Sequence, residues 1–148
     1  MHIYTAAMTA YESVAAATEE TLFQLVTPST RRARILEIAV GLRSVTSTDQ
    51  AALVKLLRQT SAGTSSGTLT PRAHDPADPA ALCTAAITFT AEPTAGDVLK
   101  TWNVVVQSGL LVYPLLDAEL FMAVSTRLGL SVNSPQAQSV LAYVTWQE

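Results

Sequence analysis

The chain has 148 residues, of which 49% are apolar and only 14% charged, with a formal net charge of -3 and a pI near 5.3. That length suits one domain with a real core, since folding should bury about 68–70% of the surface the unfolded chain exposes. The charge is too sparse and too acidic for an electrostatic grip on nucleic acid, which needs clustered Lys and Arg, and one cysteine, Cys83, excludes an intrachain disulfide. Charged residues fall well below the roughly 25% usual in soluble domains. Instead, 19 Thr and 12 Ser wet the surface. Such an exterior fits a strand-rich protein with β-branched Thr on its solvent faces, a protein that buries its exterior against copies or a partner, or both.

Residues 1–20 are Ala-rich and carry Tyr4 and Tyr11. They lack a basic n-region, and Thr5, Thr9, Tyr11 and Glu12 interrupt any apolar stretch, so no secretory signal is expected. The segment reads as an N-terminal arm that either adds a strand elsewhere or is loosely tethered, with Ile3, Tyr4, Met8 and Tyr11 as its interface residues. A single β-sandwich domain is expected over 21–148.

From Thr21 onward, apolar and polar residues alternate at a period of two, the mark of a strand with one buried face. Arg31-Arg32-Ala33-Arg34, the one dense basic cluster, reads as a solvated turn leading into a strand, with contact to an acidic partner as the rival reading. Ala33 to Arg43 and Leu53 to Gln59 read as strands. Leu36 and Leu56-Leu57 blur the alternation, and a helix over 51–59 is the alternative there.

The stretch from Thr60 to about Ala86 reads as one long irregular loop, with a short helix from Pro79 to Thr84 capped by Asp78. Gly63-Thr64-Ser65-Ser66-Gly67 matches the Gly-x-Ser-x-Gly pattern of a hydrolase nucleophile elbow. That elbow needs a strand before it, a helix after it, and an acid then a histidine downstream, which this context does not offer. His74, Asp75 and Asp78 fall short of a metal site, because two carboxylates and one imidazole on a flexible loop lack a further ligand. Cys83, beside Leu82 and alanines, reads as a small buried residue rather than a nucleophile.

Beyond the loop, Ile87 and Phe89 alternate with Thr88 and Thr90, and Glu92 to Asp97 supplies Pro and Gly for a reverse turn. Trp102, Val104 and Val106 face inward in the segment ending at Gln107, and Ser108-Gly109 suits a tight hairpin. The greasiest run, Leu110 to Leu116, is seven residues long and contains Pro114, against the roughly 20 that a spanning helix needs. Asp117 and Glu119 read as solvated acids near a bend. Leu128, Leu130 and Val132 mark one strand, Asn133-Ser134-Pro135 a loop, and Val140, Ala142, Val144 and Trp146 the buried face of the last strand. Trp102 and Trp146 read as core anchors rather than a stacking platform for sugar or base. About eight to ten strands and little helix predict an all-β antiparallel sandwich or jelly roll.

Four phrases carry a resemblance: Ala17 to Thr21, Arg31 to Glu37, Leu57 to Thr64, and Phe89 to Asp97. From about residue 17 to its end the chain resembles small virion proteins of tailed bacteriophages and prophages, most of all capsid decoration, or cement, proteins. The resemblance implies a homotrimeric β-sandwich on the outer surface of a phage capsid, bound to the major capsid protein and stabilising the shell. It implies synthesis in the host bacterial cytoplasm, and brings no catalytic, cofactor or metal residues, no nucleic acid and no membrane. A tail or head-fibre component and a carbohydrate-binding β-sandwich module are the alternatives. An enzyme is not expected.

Overall fold

A computed structural model describes residues 1–44, 50–105, 108–114 and 119–148. Val106, Gln107, Leu115, Leu116 and Asp117, named above, lie outside them. The described residues form thirteen strands: β1 (Ile3–Ala7), β2 (Glu12–Val14), β3 (Glu19–Val26), β4 (Ala33–Arg43), β5 (Ala51–Gln59), β6 (Thr64–Leu69), β7 (Arg72–Ala73), β8 (Thr84–Ala91), β9 (Ala95–Val105), β10 (Gly109–Val112), β11 (Leu120–Met122), β12 (Arg127–Asn133) and β13 (Gln138–Gln147). No helix occurs among them.

Two antiparallel sheets face each other, so the all-β sandwich expected from the alternation is the observed fold. The first sheet runs β10-β4-β13-β1-β7, with β11 beside β4 and β2 beside β13. The second runs β6-β8-β3-β12-β5-β9. Period-two patterning decides which strands lie at the centre. β13 turns Val140, Ala142, Val144 and Trp146 into the core, and β12 answers with Leu128, Leu130 and Val132, all essentially without exposure. Tyr4, Phe23, Leu25, Ile35, Ile38, Val54 and Leu56 complete the layer between the sheets. Each such side chain contributes about 1.5–3 kcal/mol by leaving water.

Several expectations are corrected. Of the two readings of residues 1–20, an added strand is the one observed and a loose tether is not: β1 pairs with β13 from Ile3 to Ala7 and with β7 through Tyr4 and Thr5. Tyr4 and Ala6 enter the core because their alternation, masked in sequence by the surrounding alanines, is that of a strand. The region 60–86 holds β6, β7 and the start of β8 rather than a single loop. No helix forms at 79–84, where the Leu82 and Cys83 backbone N–H groups donate to the Glu148 carboxylate at 2.6 and 3.0 Å. The segment 51–59 is strand, as expected for Leu53 to Gln59, and the alternative helix does not form. Ser108-Gly109 does not close a hairpin, since β9 belongs to the second sheet and β10 to the first. The irregularity at Leu36 is a β-bulge: the register with β13 shifts between Thr145 and Trp146.

Part of the outward side of the second sheet is covered. The β5–β6 and β8–β9 connections lie side by side, with Thr60 N donating to Thr94 O at 2.9 Å and Thr94 N to Ser61 Oγ at 2.8 Å. This strap closes over Gln24 and Gln59, both buried. Gln24 Nε2 donates to Gln59 Oε1 at 2.7 Å and to Ser61 O at 3.0 Å, and Gln59 Nε2 donates to Thr21 Oγ1 at 3.1 Å. Gly129 lies beneath; a Cβ there would sit 2.4 Å from Gln59 Cδ. The polar groups satisfy one another, as burial demands.

Candidate functional site

The sequence-marked polar residues serve the fold. Gly63 turns the chain at φ 63°, and Ser65 and Ser66 lie on the exposed edge strand β6, where Ser66 Oγ donates to Thr88 O at 3.1 Å. The expected loop around this motif is thus a strand. His74 Nε2 meets Thr5 Oγ1 at 2.8 Å, Asp78 Oδ1 meets His2 Nδ1 at 2.7 Å, and Asp75 Oδ1 accepts from Ala77 N at 2.9 Å. His74 and Asp78 thus tie the 74–78 turn to Thr5 of β1 and to His2 just before it, and Asp75 braces the turn itself, so the three do not converge on one point. In the basic cluster Arg31 and Arg32 are exposed, Ala33 is buried as the first residue of β4, and Arg34 pairs with Glu119.

Cys83 is buried, and desolvation, followed by its hydrogen bond to Glu148, pushes its thiol far above the usual range. Burial works to raise the Glu148 carboxyl as well, but hydrogen bonds from Cys83, Leu82 and Trp146 outweigh it and hold the carboxyl below its ordinary value. A carboxyl depressed in the folded state stabilises the fold above its unfolded value of about 4.3, and that contribution is lost as pH falls through the folded value. Glu148→Gln should therefore lower the melting temperature at pH 7, and the gap to the native chain should close as pH falls below about 4. Melts followed by circular dichroism at both pH values check this; a gap unchanged in acid would remove Glu148 from the account. Glu12 acts in the opposite sense, raised first by desolvation, and cancels in the comparison.

The outer face of the first sheet carries an apolar patch. Register places Leu111, Ala39, Tyr143 and Ala7 side by side in one row across β10, β4, β13 and β1, and Gly109, Gly41 and Leu141 in the next. Together they line a shallow depression of about 430 Å³. Polar groups bound it at both ends. Glu37 accepts from Tyr143 Oη and, at 3.4 Å, from Tyr113 Oη. Arg43 lies over the Tyr11 ring, 5.3 Å from its centroid. The hydrogen bond to Glu37, then burial, pushes the Tyr143 hydroxyl up to about 12.

A second uncharged surface belongs to the other sheet. Among the described residues β6 is paired on one side only, and no charged residue occurs from Thr60 to Pro71. The remaining sheet edges are blunted in familiar ways. β9 carries Asp97 and Lys100, β7 has two residues, and β10 and β11 have four and three.

Of the four residues expected at an interface, Tyr4 and Met8 are buried in the chain's own core, Ile3 is half-buried and Tyr11 is 52% exposed. Trp146 is a core anchor as expected. Trp102 is half-buried and, with Tyr113 and Pro114, lines a 220 Å³ cleft between the sheets. Among the described residues no three His, Cys, Asp or Glu side chains are placed to hold a metal ion, and no helix is long and apolar enough to cross a membrane. Comparison of the chain with family models, with curated proteins and with solved structures returns no match.

Sequence reading missed the apolar face. Its signal was present in Leu141 and Tyr143, apolar residues on the outward side of β13, but only strand register shows that Ala39, Gly41, Gly109 and Leu111 join them.

Proposed function

We propose that the chain is a structural protein of a tailed-phage virion that binds the outer surface of the capsid as a decoration protein and stabilises the shell. The observation that supports this is the pair of uncharged surfaces on opposite sheets of one closed core, the apolar outer face of the first sheet and the β6 edge of the second. A protein that cements a lattice must hold its own copies with one surface and the shell with another. Repeated copies on one lattice would then supply avidity that neither contact has alone. Its partners in this reading are the major capsid protein and further copies of itself, met in the cytoplasm of the host bacterium.

Virions of the genome that encodes the chain should carry it on the head in numbers proportional to the capsid protein. Heads lacking it should rupture at lower temperature and regain resistance when the purified protein is added. Depleted heads with normal resistance would overturn the reading, and labelling confined to the tail or head fibres would move the protein there. A second reading, a carbohydrate-binding module, draws on Trp102 and Tyr113 at the cleft. Quenching of Trp102 fluorescence by a sugar, abolished in Trp102→Phe, would favour it.

A further inference from the structure

The outer face of the first sheet is complementary to itself. Along β4 the outward side chains are Glu37, Ala39, Gly41 and Arg43, an acid and a base about 20 Å apart at either end of an uncharged stretch. Consider a second copy turned over about an axis in the contact plane that crosses the strands midway between the Ala39 and Gly41 rows. Glu37 then meets Arg43 of the second copy, Tyr143 stands over Leu141, and Leu111 stands over Gly109, which offers no side chain to obstruct it. Every contact occurs twice, as a two-fold interface requires. An in-plane axis running along β4 itself would set Glu37 over Glu37 and Arg43 over Arg43, and like charges penalise it.

We infer that this face pairs two copies of the chain, sheet against sheet, about that two-fold axis. The inference goes beyond the virion reading and does not depend on it; it sets two copies where the resemblance implies three. From Glu37 to Arg43 the contact runs about 20 Å along the strands and about 15 Å across them, roughly 300 Å² per copy. That is below the size of a standard specific interface, so the pairing is weak and transient, with a dissociation constant no tighter than the micromolar range.

Sedimentation of the purified full chain should show a monomer–dimer equilibrium. Gly109→Leu should weaken it about tenfold or more by filling the space opposite Leu111. Its own chain tolerates the change, since a Cβ at Gly109 meets only Val40 O, at 3.5 Å. Glu37→Arg and Arg43→Glu should each weaken pairing, while an equimolar mixture of the two should restore it, because each mixed pair sets two arginines of one copy against two glutamates of the other. Circular dichroism of each variant establishes that it is folded. A chain monomeric up to about 100 μM, a trimer, or a dimer that none of the three substitutions weakens would overturn the inference. Weakening by both charge variants without recovery on mixing would overturn the opposition of Glu37 and Arg43. Loss of virion binding with pairing intact would fall on the proposed function alone.

Discussion

Replacement of Trp146 by alanine is expected to lower the unfolding free energy by about 3–5 kcal/mol, the range for truncating a fully buried large aromatic side chain. For a chain of this size that corresponds to a fall in melting temperature of about 10–15 °C. Trp146 has no solvent exposure and lies on β13, the strand that holds β4 and β1 together. Its ring packs against Tyr4 with centroids 6.0 Å apart, and its Nε1 donates to Glu148 at 3.4 Å. Alanine would remove the packing, the aromatic pair and one support of the Glu148 carboxylate together, leaving a cavity that the rigid sheet cannot collapse to fill. Trp102, half-buried on the edge strand β9, should cost less than half as much when truncated, since much of its surface is already wet. Thermal melts of both variants give the comparison. A Trp146→Ala protein that melts with the native chain would show that the two sheets do not depend on this anchor.

The contrast between the two tryptophans shows what sequence could and could not say. Period-two alternation is a property of a strand by itself, so β12 and β13 were legible with their buried faces, and with them the fold class. β1 was not, because Ala6 and Ala7 carry too little hydrophobic contrast to reveal which side faces in. The strand identity of 64–69 was hidden for a related reason: a Ser, Thr and Gly edge strand has the composition of a loop, and only its pairing with β8 distinguishes them. Connections that cross between sheets were also misread, since Ser108-Gly109 has hairpin chemistry while the strands it joins lie in different layers.

The apolar face needed still more information. Seven residues on four strands compose it, and no two neighbouring strands in the row β10-β4-β13-β1 are consecutive in the chain. Composition did announce that such a surface should exist. Only 14% of the residues are charged, and the structure places two uncharged regions where regular hydrogen bonding holds them rigid. A preformed contact surface avoids much of the ordering entropy that a flexible one loses on binding.

The motif at 63–67 provides a second strong test, because the fold gives Gly63 a role unrelated to nucleophilic chemistry. Gly63→Ala is expected to destabilise the protein by about 2–4 kcal/mol. Its φ of 63° is one that a side chain resists, and the added Cβ would lie 2.6 Å from Ala91 O and 2.7 Å from Pro93 N. Both are backbone atoms, so relief requires the strap itself to move. Moving it would pull Ser61 O from Gln24 and open the buried Gln24–Gln59–Thr21 network, adding the desolvation cost of unpaired amides to the steric one. Ser65→Ala, two residues on and exposed on β6, should stay within about 0.5 kcal/mol of the native chain. Denaturant unfolding of the two variants separates the accounts: a large loss at Gly63 with none at Ser65 assigns the motif to the strap. Equal stability of the Gly63 variant and the native chain would mean that the strap yields freely and that Gln24 and Gln59 find partners without it.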